Sequence, residues 1–129
     1  MLKLLSVASV LVLSGFGIAQ AQDAAAGEKV FSQCRACHQV GPTAKNVIGP
    51  QLNGVIGRKA GTVEGYSYTS ANKDSGLTWD EATFATYIKN PQTVVKGTKM
   101  SFAGVKDDQK VSDLTAYLKQ FDATGKKAP

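Results

Sequence analysis

From residue 39 to residue 69 the chain is punctuated by Gly41, Pro42, Gly49, Pro50, Gly54, Gly57, Gly61 and Gly65. Gly and Pro at this density break helices, and the segment lacks the sustained period-2 alternation of a strand. It reads as loops and turns with little sheet. About forty residues of this kind lie between two good helical patterns, although structureless stretches beyond about 12–15 residues are uncommon in compact domains. Too irregular to build its own core, the segment requires something else to organise it.

The flanking segments carry clear helical signals. Over residues 23–37, Asp23 is a candidate N-cap, Ala24, Ala25 and Ala26 favour helix, and Gly27, Val30, Phe31 and Cys34 share one face. A Gly on that face is costly for a helix and makes sense only where another backbone approaches closely. The Gly-rich part gives way to a short helical turn over Asn72–Asp74. Thr78 then predicts an N-cap for a helix from Trp79 or Asp80 to about Asn90, with Phe84, Tyr87 and Ile88 as its apolar face. Pro91 ends it or opens another short turn. A loop spans residues 95–106. The last helix starts at Asp107 and Asp108 and carries the stripe Val111, Leu114, Tyr117, Leu118 and Phe121. The tail Gly125–Pro129 is expected to fray. No internal repeat or second domain is visible in the 129 residues.

The first twenty-one residues read as a leader rather than as part of the fold. Lys3 and the amino terminus precede an apolar run from Leu4 to Ile18, and Ala19-Gln20-Ala21 places small residues at both cleavage-determining positions. This is the three-part pattern of a secretory signal peptide. The run of fifteen residues is shorter than the roughly 20 that span a bilayer. The expected domains are therefore 1–21, a removed signal peptide, and 22–129, one exported domain in a bacterial periplasm with no stable membrane insertion. Charged residues at 19% and hydrophobic residues at 43% exclude disorder by composition. The net charge of +5 is not gathered into basic blocks, which argues against nucleic acid as a partner.

Within this exported domain, Cys34-Arg35-Ala36-Cys37-His38 forms C-x-x-C-H. In that setting the pattern reads as covalent haem attachment. Two thiols three residues apart on a helical turn meet one edge of a flat macrocycle, and the next residue brings an imidazole under the iron. One covalent haem c, attached through Cys34 and Cys37, would also organise the Gly-rich segment. Three other readings exist. A thioredoxin-like dithiol wants a preceding strand and a βαβ setting, which the sequence lacks. A disulfide across C-x-x-C would close almost no loop and stabilise little. One His and two Cys fall short of a four-ligand structural zinc site.

Haem iron takes a second axial ligand from a short list of side chains. The chain has no second His and no spare Cys, and Met1 leaves with the leader. That leaves Met100, in the loop Gly97-Thr98-Lys99-Met100-Ser101-Phe102. A Met beside Phe102 could equally be a soft core filler. With haem present and no competitor, the ligand reading is preferred.

With these residues in view, the chain resembles a class I cytochrome c, and among these the small bacterial cytochromes c2 similar to the mitochondrial protein. The resemblance covers essentially all of residues 22–129. It rests on Gly27, Phe31, Cys34-x-x-Cys37-His38, Gly49-Pro50-Gln51-Leu52, Gly57-Arg58-Lys59, Gly65-Tyr66-Ser67-Tyr68-Thr69, Ala71-Asn72-Lys73, Trp79, Asn90-Pro91, Gly97-Thr98-Lys99-Met100 and Asp113-Leu114-x-Ala116-Tyr117-Leu118. It implies an all-α, single-domain fold in which the terminal helices cross and long Gly-rich loops wrap the haem. It also implies His38 as proximal ligand and Met100 as distal ligand, with the Pro50 carbonyl on the other ring N–H of His38. Arg58, Tyr68 and Trp79 would hold the propionates. Asn72, Tyr87 and Thr98 would form a polar network near Met100, and Gly27 and Phe31 would pack across Leu114 and Tyr117.

The function so implied is a monomeric electron carrier, not an enzyme, that cycles between Fe(III) and Fe(II). A cytochrome bc-type complex would be its donor, and a terminal oxidase or a photosynthetic reaction centre its acceptor. Some positions depart from the family pattern. Lys96 stands where many relatives carry Pro, and Gln33, Gln92, Thr93 and Asp107 stand where mitochondrial relatives often carry Lys. Lys45, Lys96, Lys99 and Lys106 remain basic, with docking expected at Lys96, Lys99 and Lys106. A second reading is a haem-based gas or peroxide sensor whose Met100 leaves the iron. A third is a haem-free thiol–disulfide enzyme, which would be colourless with titratable thiols.

Overall fold

The computed structural model describes residues 22–129, so the leader expected over 1–21 lies outside the described residues. The described chain is helical: α1 (Ala24–Phe31), α2 (Ser70–Lys73), α3 (Glu81–Lys89), α4 (Pro91–Val94) and α5 (Asp108–Lys119). Among the described residues there is no strand, only the isolated antiparallel bridges Lys59 to Thr78 and Phe121 to Lys127. This is the all-α fold expected.

Asp23 caps α1, its carboxylate accepting from the N–H groups of Ala25 and Ala26. The expected helix over 23–37 is shorter than its pattern: it tightens to a 3-10 turn at Ser32–Cys34, and the motif follows in turns. The reason lies in the hydrogen bonds, since His38 and Cys37 both donate back to the Cys34 carbonyl, at 2.9 and 3.1 Å, and close a tight loop. The cap expected at Thr78 is also corrected. Trp79 N–H donates to the Arg58 carbonyl at 2.9 Å and Gly57 N–H to the Trp79 carbonyl at 2.7 Å, so this segment is extended against the 57–59 loop. Asp80 takes the cap instead, accepting from Thr83 N–H at 2.8 Å. Pro91 does both things expected of it, following the end of α3 and opening α4.

Helices α1 and α5 cross closely. A Cβ on Gly27 would run into the backbone carbonyl of Asp113 and stand 2.8 Å from Cβ of Tyr117, which explains a Gly on the buried face. Phe31 is fully buried, with its ring 5.3 Å from that of Tyr117. Val111, Leu114, Leu118 and Phe121 complete the buried stripe of α5, and Phe84, Tyr87 and Ile88 that of α3. The buried carboxylate of Asp113 holds the start of α1 by accepting from Asp23 N–H at 2.9 Å.

The tail does not fray. Asp122 N–H donates to the Lys126 carbonyl at 3.0 Å and Ala128 N–H to the Gln120 carbonyl at 2.8 Å. Gly54 N–H donates to the Phe121 carbonyl at 3.1 Å, so the region after α5 also fastens the Gly-rich segment.

Candidate haem-binding site

The Gly-rich segment, α3, the 95–105 loop and the inner faces of α1 and α5 surround a cavity of about 430 Å³. That is within the range of about 300–1,000 Å³ usual for cofactor and small-molecule sites. Cys34, Cys37, His38, Pro50, Arg58, Tyr68, Asn72, Trp79, Tyr87, Thr98 and Met100 all line it. A smaller recess of about 190 Å³ lies elsewhere, against Glu81, Lys89 and Asp108.

The motif side is built by one close approach. Gly49 N–H donates to the Cys37 carbonyl at 2.7 Å and lays the 46–50 loop against the His38 ring. A Cβ at Gly49 would stand 2.7 Å from Nδ1 and 2.9 Å from Nε2 of His38, so only Gly fits. The next residue sets the tautomer: Nδ1 of His38 is 2.7 Å from the Pro50 carbonyl. A carbonyl only accepts, so Nδ1 carries the proton and Nε2 keeps its lone pair. Burial lowers the His38 pKa, and the charge of Arg58 acts the same way, opposed by the Pro50 hydrogen bond. The ring is thus neutral, with one basic nitrogen to offer a metal.

Cys34 and Cys37 are not joined to each other as a disulfide, and burial, with the neighbouring Cys37, pushes the Cys34 thiol up to about 11. A dithiol oxidoreductase lowers the pKa of its attacking thiol. This geometry does the reverse, which disfavours the thiol–disulfide reading. Among the described residues no three His, Cys, Asp or Glu cluster around a metal position.

Met100 approaches from the other loop. Its N–H donates to Thr98 Oγ1 at 3.2 Å, and the Tyr87 hydroxyl donates to its sulfur at 3.2 Å. Tyr87 is buried on α3 with its ring 4.5 Å from Trp79, and burial pushes its pKa up to about 12, which keeps the O–H on. Thr98 N–H donates to the Val95 carbonyl at 3.1 Å, so the loop closes on itself with Lys96 exposed at its turn.

The remaining polar groups form an incomplete set. Arg58 Nη1 donates to the carbonyls of Gln51 and Asn53, at 3.1 and 3.0 Å, and burial lowers the guanidinium pKa. Among the described residues it has no carboxylate partner. The hydroxyl of Tyr68 accepts from Val63 N–H at 3.1 Å, and its own proton has no acceptor among the described residues. The side chains of Trp79 and Asn72 likewise make no hydrogen bond there. No side-chain N or O sealed inside the described residues lacks a partner, so these unspent donors face the cavity, where they and the Arg58 charge can receive an anion. Leu52, Val55, Phe84, Ile88, Leu114 and Leu118 supply the apolar walls. The donor set therefore fits an amphipathic macrocycle with carboxylate arms.

Some residues of the site were not given a role by sequence reasoning. Asn46 accepts from Gln51 N–H at 2.9 Å and donates to the Glu64 carbonyl at 3.0 Å, joining two loops. Tyr66 donates to the Ile48 carbonyl at 2.8 Å. Both are long-range ties within coil, where no periodicity exists to reveal them.

The known proteins agree with this geometry. Residues 24–122 match the cytochrome c family. Cytochrome c2 of Blastochloris viridis is 62% identical over 109 residues, covering 84% of this chain and 86% of its own. Among solved structures, cytochrome cH from Methylobacterium extorquens gives a TM-score of 0.71 at 51% identity, covering 75% of this chain and 97% of its own. Cytochrome c2 from Rhodospirillum centenum gives 0.73 at 42% identity, covering 78% and 98%. A family match over most of the described chain, high identity and the shared fold agree with the C-x-x-C-H cavity: the chain belongs to the cytochrome c family, as a class I member of the bacterial cytochrome c2 kind, with one covalent haem c at Cys34 and Cys37.

Proposed function

We propose that the protein is a periplasmic one-electron carrier, with His38 and Met100 as the axial ligands of its haem iron. The observation that carries this reading is the single cavity lined by both motif cysteines, a neutral His38 with its Nε2 lone pair free, and the Met100 sulfur. Haem c, when bound, supplies a one-electron Fe(III)/Fe(II) couple, at a potential that His/Met ligation raises.

The protein's own groups hold that couple steady. Cys34 and Cys37, both in the cavity wall, would hold the macrocycle by thioether bonds. The Pro50 carbonyl fixes the plane and tautomer of His38. Tyr87 and Thr98 orient Met100, and Asn72 lines the same cavity with its amide free to join them. Arg58, Tyr68 and Trp79 offer the donors that two propionates need. Apolar walls exclude water. The buried Nδ1–H and Tyr87 O–H already have partners, so neither needs to move a proton when the electron arrives. Held by both His38 and Met100, the iron would have no position left for a substrate, as suits a carrier rather than an enzyme.

The relatives' names support a shuttle between membrane complexes. A cytochrome bc-type complex is the proposed donor, and a terminal oxidase or photosynthetic reaction centre the proposed acceptor. No helix among the described residues is long and apolar enough to cross a membrane. The modest positive charge would speed encounters with acidic faces, an effect that falls with ionic strength. The comparisons give no support to the gas or peroxide sensor.

Met100→Ala tests the ligand assignment. In a redox titration with carbon monoxide as probe, the potential should fall markedly and the reduced protein should bind the gas. An unchanged potential and spectrum would contradict the assignment.

A further inference from the structure

The chain holds four asparagines, Asn46, Asn53, Asn72 and Asn90, and only Asn53 is followed by glycine. An Asn-Gly pair is chemically labile, because no side chain shields the glycine nitrogen from the asparagine amide. That nitrogen can attack the asparagine side-chain carbon. The bond from that carbon to its amide nitrogen breaks, and ammonia leaves with the proton of the attacking N–H. The succinimide ring so formed takes up water and opens to aspartate or isoaspartate. Gly54 holds a φ of +62°, and a Cβ there would stand 3.1 Å from the Ala123 backbone. The turn therefore keeps its glycine, and with it the labile pair.

In the folded chain both reacting groups are occupied. Asn53 is buried at 6% exposure, its side-chain carbonyl accepting from Gly41 N–H at 2.8 Å and its amide donating to the Gly41 carbonyl at 2.9 Å. Gly54 N–H donates to the Phe121 carbonyl at 3.1 Å. The carbonyl of the peptide between them accepts from Arg58 Nη1 at 3.0 Å. Attack requires the Asn53 amide to swing off Gly41 and the Gly54 nitrogen to leave Phe121. The chain end closes over this arrangement: a Cβ on Gly125 would run into the Gly41 carbonyl and stand 2.7 Å from Nδ2 of Asn53.

We propose that Asn53-Gly54 is a latent deamidation site, shut by its hydrogen bonds to Gly41 and Phe121 and opened when the chain end detaches from the Gly-rich segment. Opening is a local unfolding event, so the rate of the reaction follows the population of the open form. The products do not restore the clamp. A carboxylate accepts but cannot donate to the Gly41 carbonyl, and isoaspartate adds a carbon to the main chain. The modification thus marks, irreversibly, chains whose loops have stayed open.

The test incubates purified holoprotein at mildly alkaline pH, folded in buffer and unfolded in guanidinium chloride, where the covalent haem stays attached. Peptide mass spectrometry follows conversion at each asparagine. Unfolded protein should convert at Asn53 well before Asn46, Asn72 or Asn90. Folding should slow Asn53 about a hundredfold, since opening breaks three hydrogen bonds, each worth a factor of about two to ten. Hydrogen exchange of the Gly54 N–H in the folded protein should be slowed to a similar extent, because the same opening exposes it. Gly125→Ala should speed conversion in the folded protein and leave the unfolded rate unchanged. Equal rates in folded and unfolded protein would overturn the gate, as would a freely exchanging Gly54 N–H. A folded Gly125→Ala protein that converts no faster than the parent would overturn the part given to the chain end. An Asn53 that stays intact in denaturant would overturn the site itself.

Discussion

The hydroxyl of Tyr87 stands 3.2 Å from the sulfur of Met100, joining the buried face of α3 to the 95–105 loop. Burial keeps that hydroxyl protonated, with its pKa pushed up to about 12, so it donates to the sulfur across the neutral range. A hydrogen bond to the sulfur draws density from it and favours the reduced iron. Tyr87→Phe should therefore lower the reduction potential. A neutral hydrogen bond has a net worth of about 0.5–1.5 kcal/mol. For one electron this corresponds to tens of millivolts, at about 59 mV per tenfold change. Redox potentiometry checks it, and an unchanged or raised potential would contradict the role given to Tyr87.

Gly27→Ala opposes two effects. Replacing Gly in a helix gains up to about 1 kcal/mol in propensity. The new Cβ would meet the Asp113 carbonyl and sit 2.8 Å from Cβ of Tyr117. Backbone cannot move aside as a flexible side chain can, and overpacking costs about 1–3 kcal/mol or more. The variant should lose roughly 2 kcal/mol in denaturant unfolding, and a gain in stability would show that α1 and α5 do not cross this closely.

Asn53 clamps the loop start by accepting from Gly41 N–H at 2.8 Å and donating to the Gly41 carbonyl at 2.9 Å. Both contacts are buried. Asn53→Ala strands the Gly41 N–H, at a cost of about 1–3 kcal/mol, while the Gly41 carbonyl keeps the Ala44 N–H at 3.1 Å. We expect a loss of about 2 kcal/mol in holoprotein unfolding, with the potential nearly unchanged because the clamp lies outside the polar groups around Met100.

The Asp122 carboxylate is held below the usual carboxylate range by Thr124 and the Lys126 N–H, which cap the tail turn. Its folded value is depressed, so its contribution is present above the unfolded pKa, near 4, and is lost as pH falls through the folded value. Asp122→Asn should therefore destabilise the protein at pH 7 more than at pH 2.5. An equal effect at both pH values, measured by denaturant unfolding, would contradict this coupling.

What the sequence disclosed follows from where periodicity exists. The α5 stripe from Val111 to Phe121, the α3 face and the Asp23 cap were legible because helices repeat. Gly27 was informative because it broke a propensity rule on a buried face. Thr78 misled because nothing local reveals its pairing with Lys59, which leaves Asp80 to cap α3. The tail looked loose by composition, yet long-range backbone bonds fasten it. At the site, the C-x-x-C-H spacing named the covalent haem in advance. The ties made by Asn46 and Tyr66 could not be read, since each joins residues eighteen apart through coil.

The most direct test of the central claim is the absorption spectrum of the protein matured in a periplasm, first oxidised and then reduced with dithionite. The account predicts sharp c-type haem bands on reduction and, in the oxidised form, the weak far-red charge-transfer band of an Fe(III)–Met bond. Haem bands without the far-red feature would contradict Met100 as ligand. A colourless folded protein would contradict the haem assignment at Cys34 and Cys37.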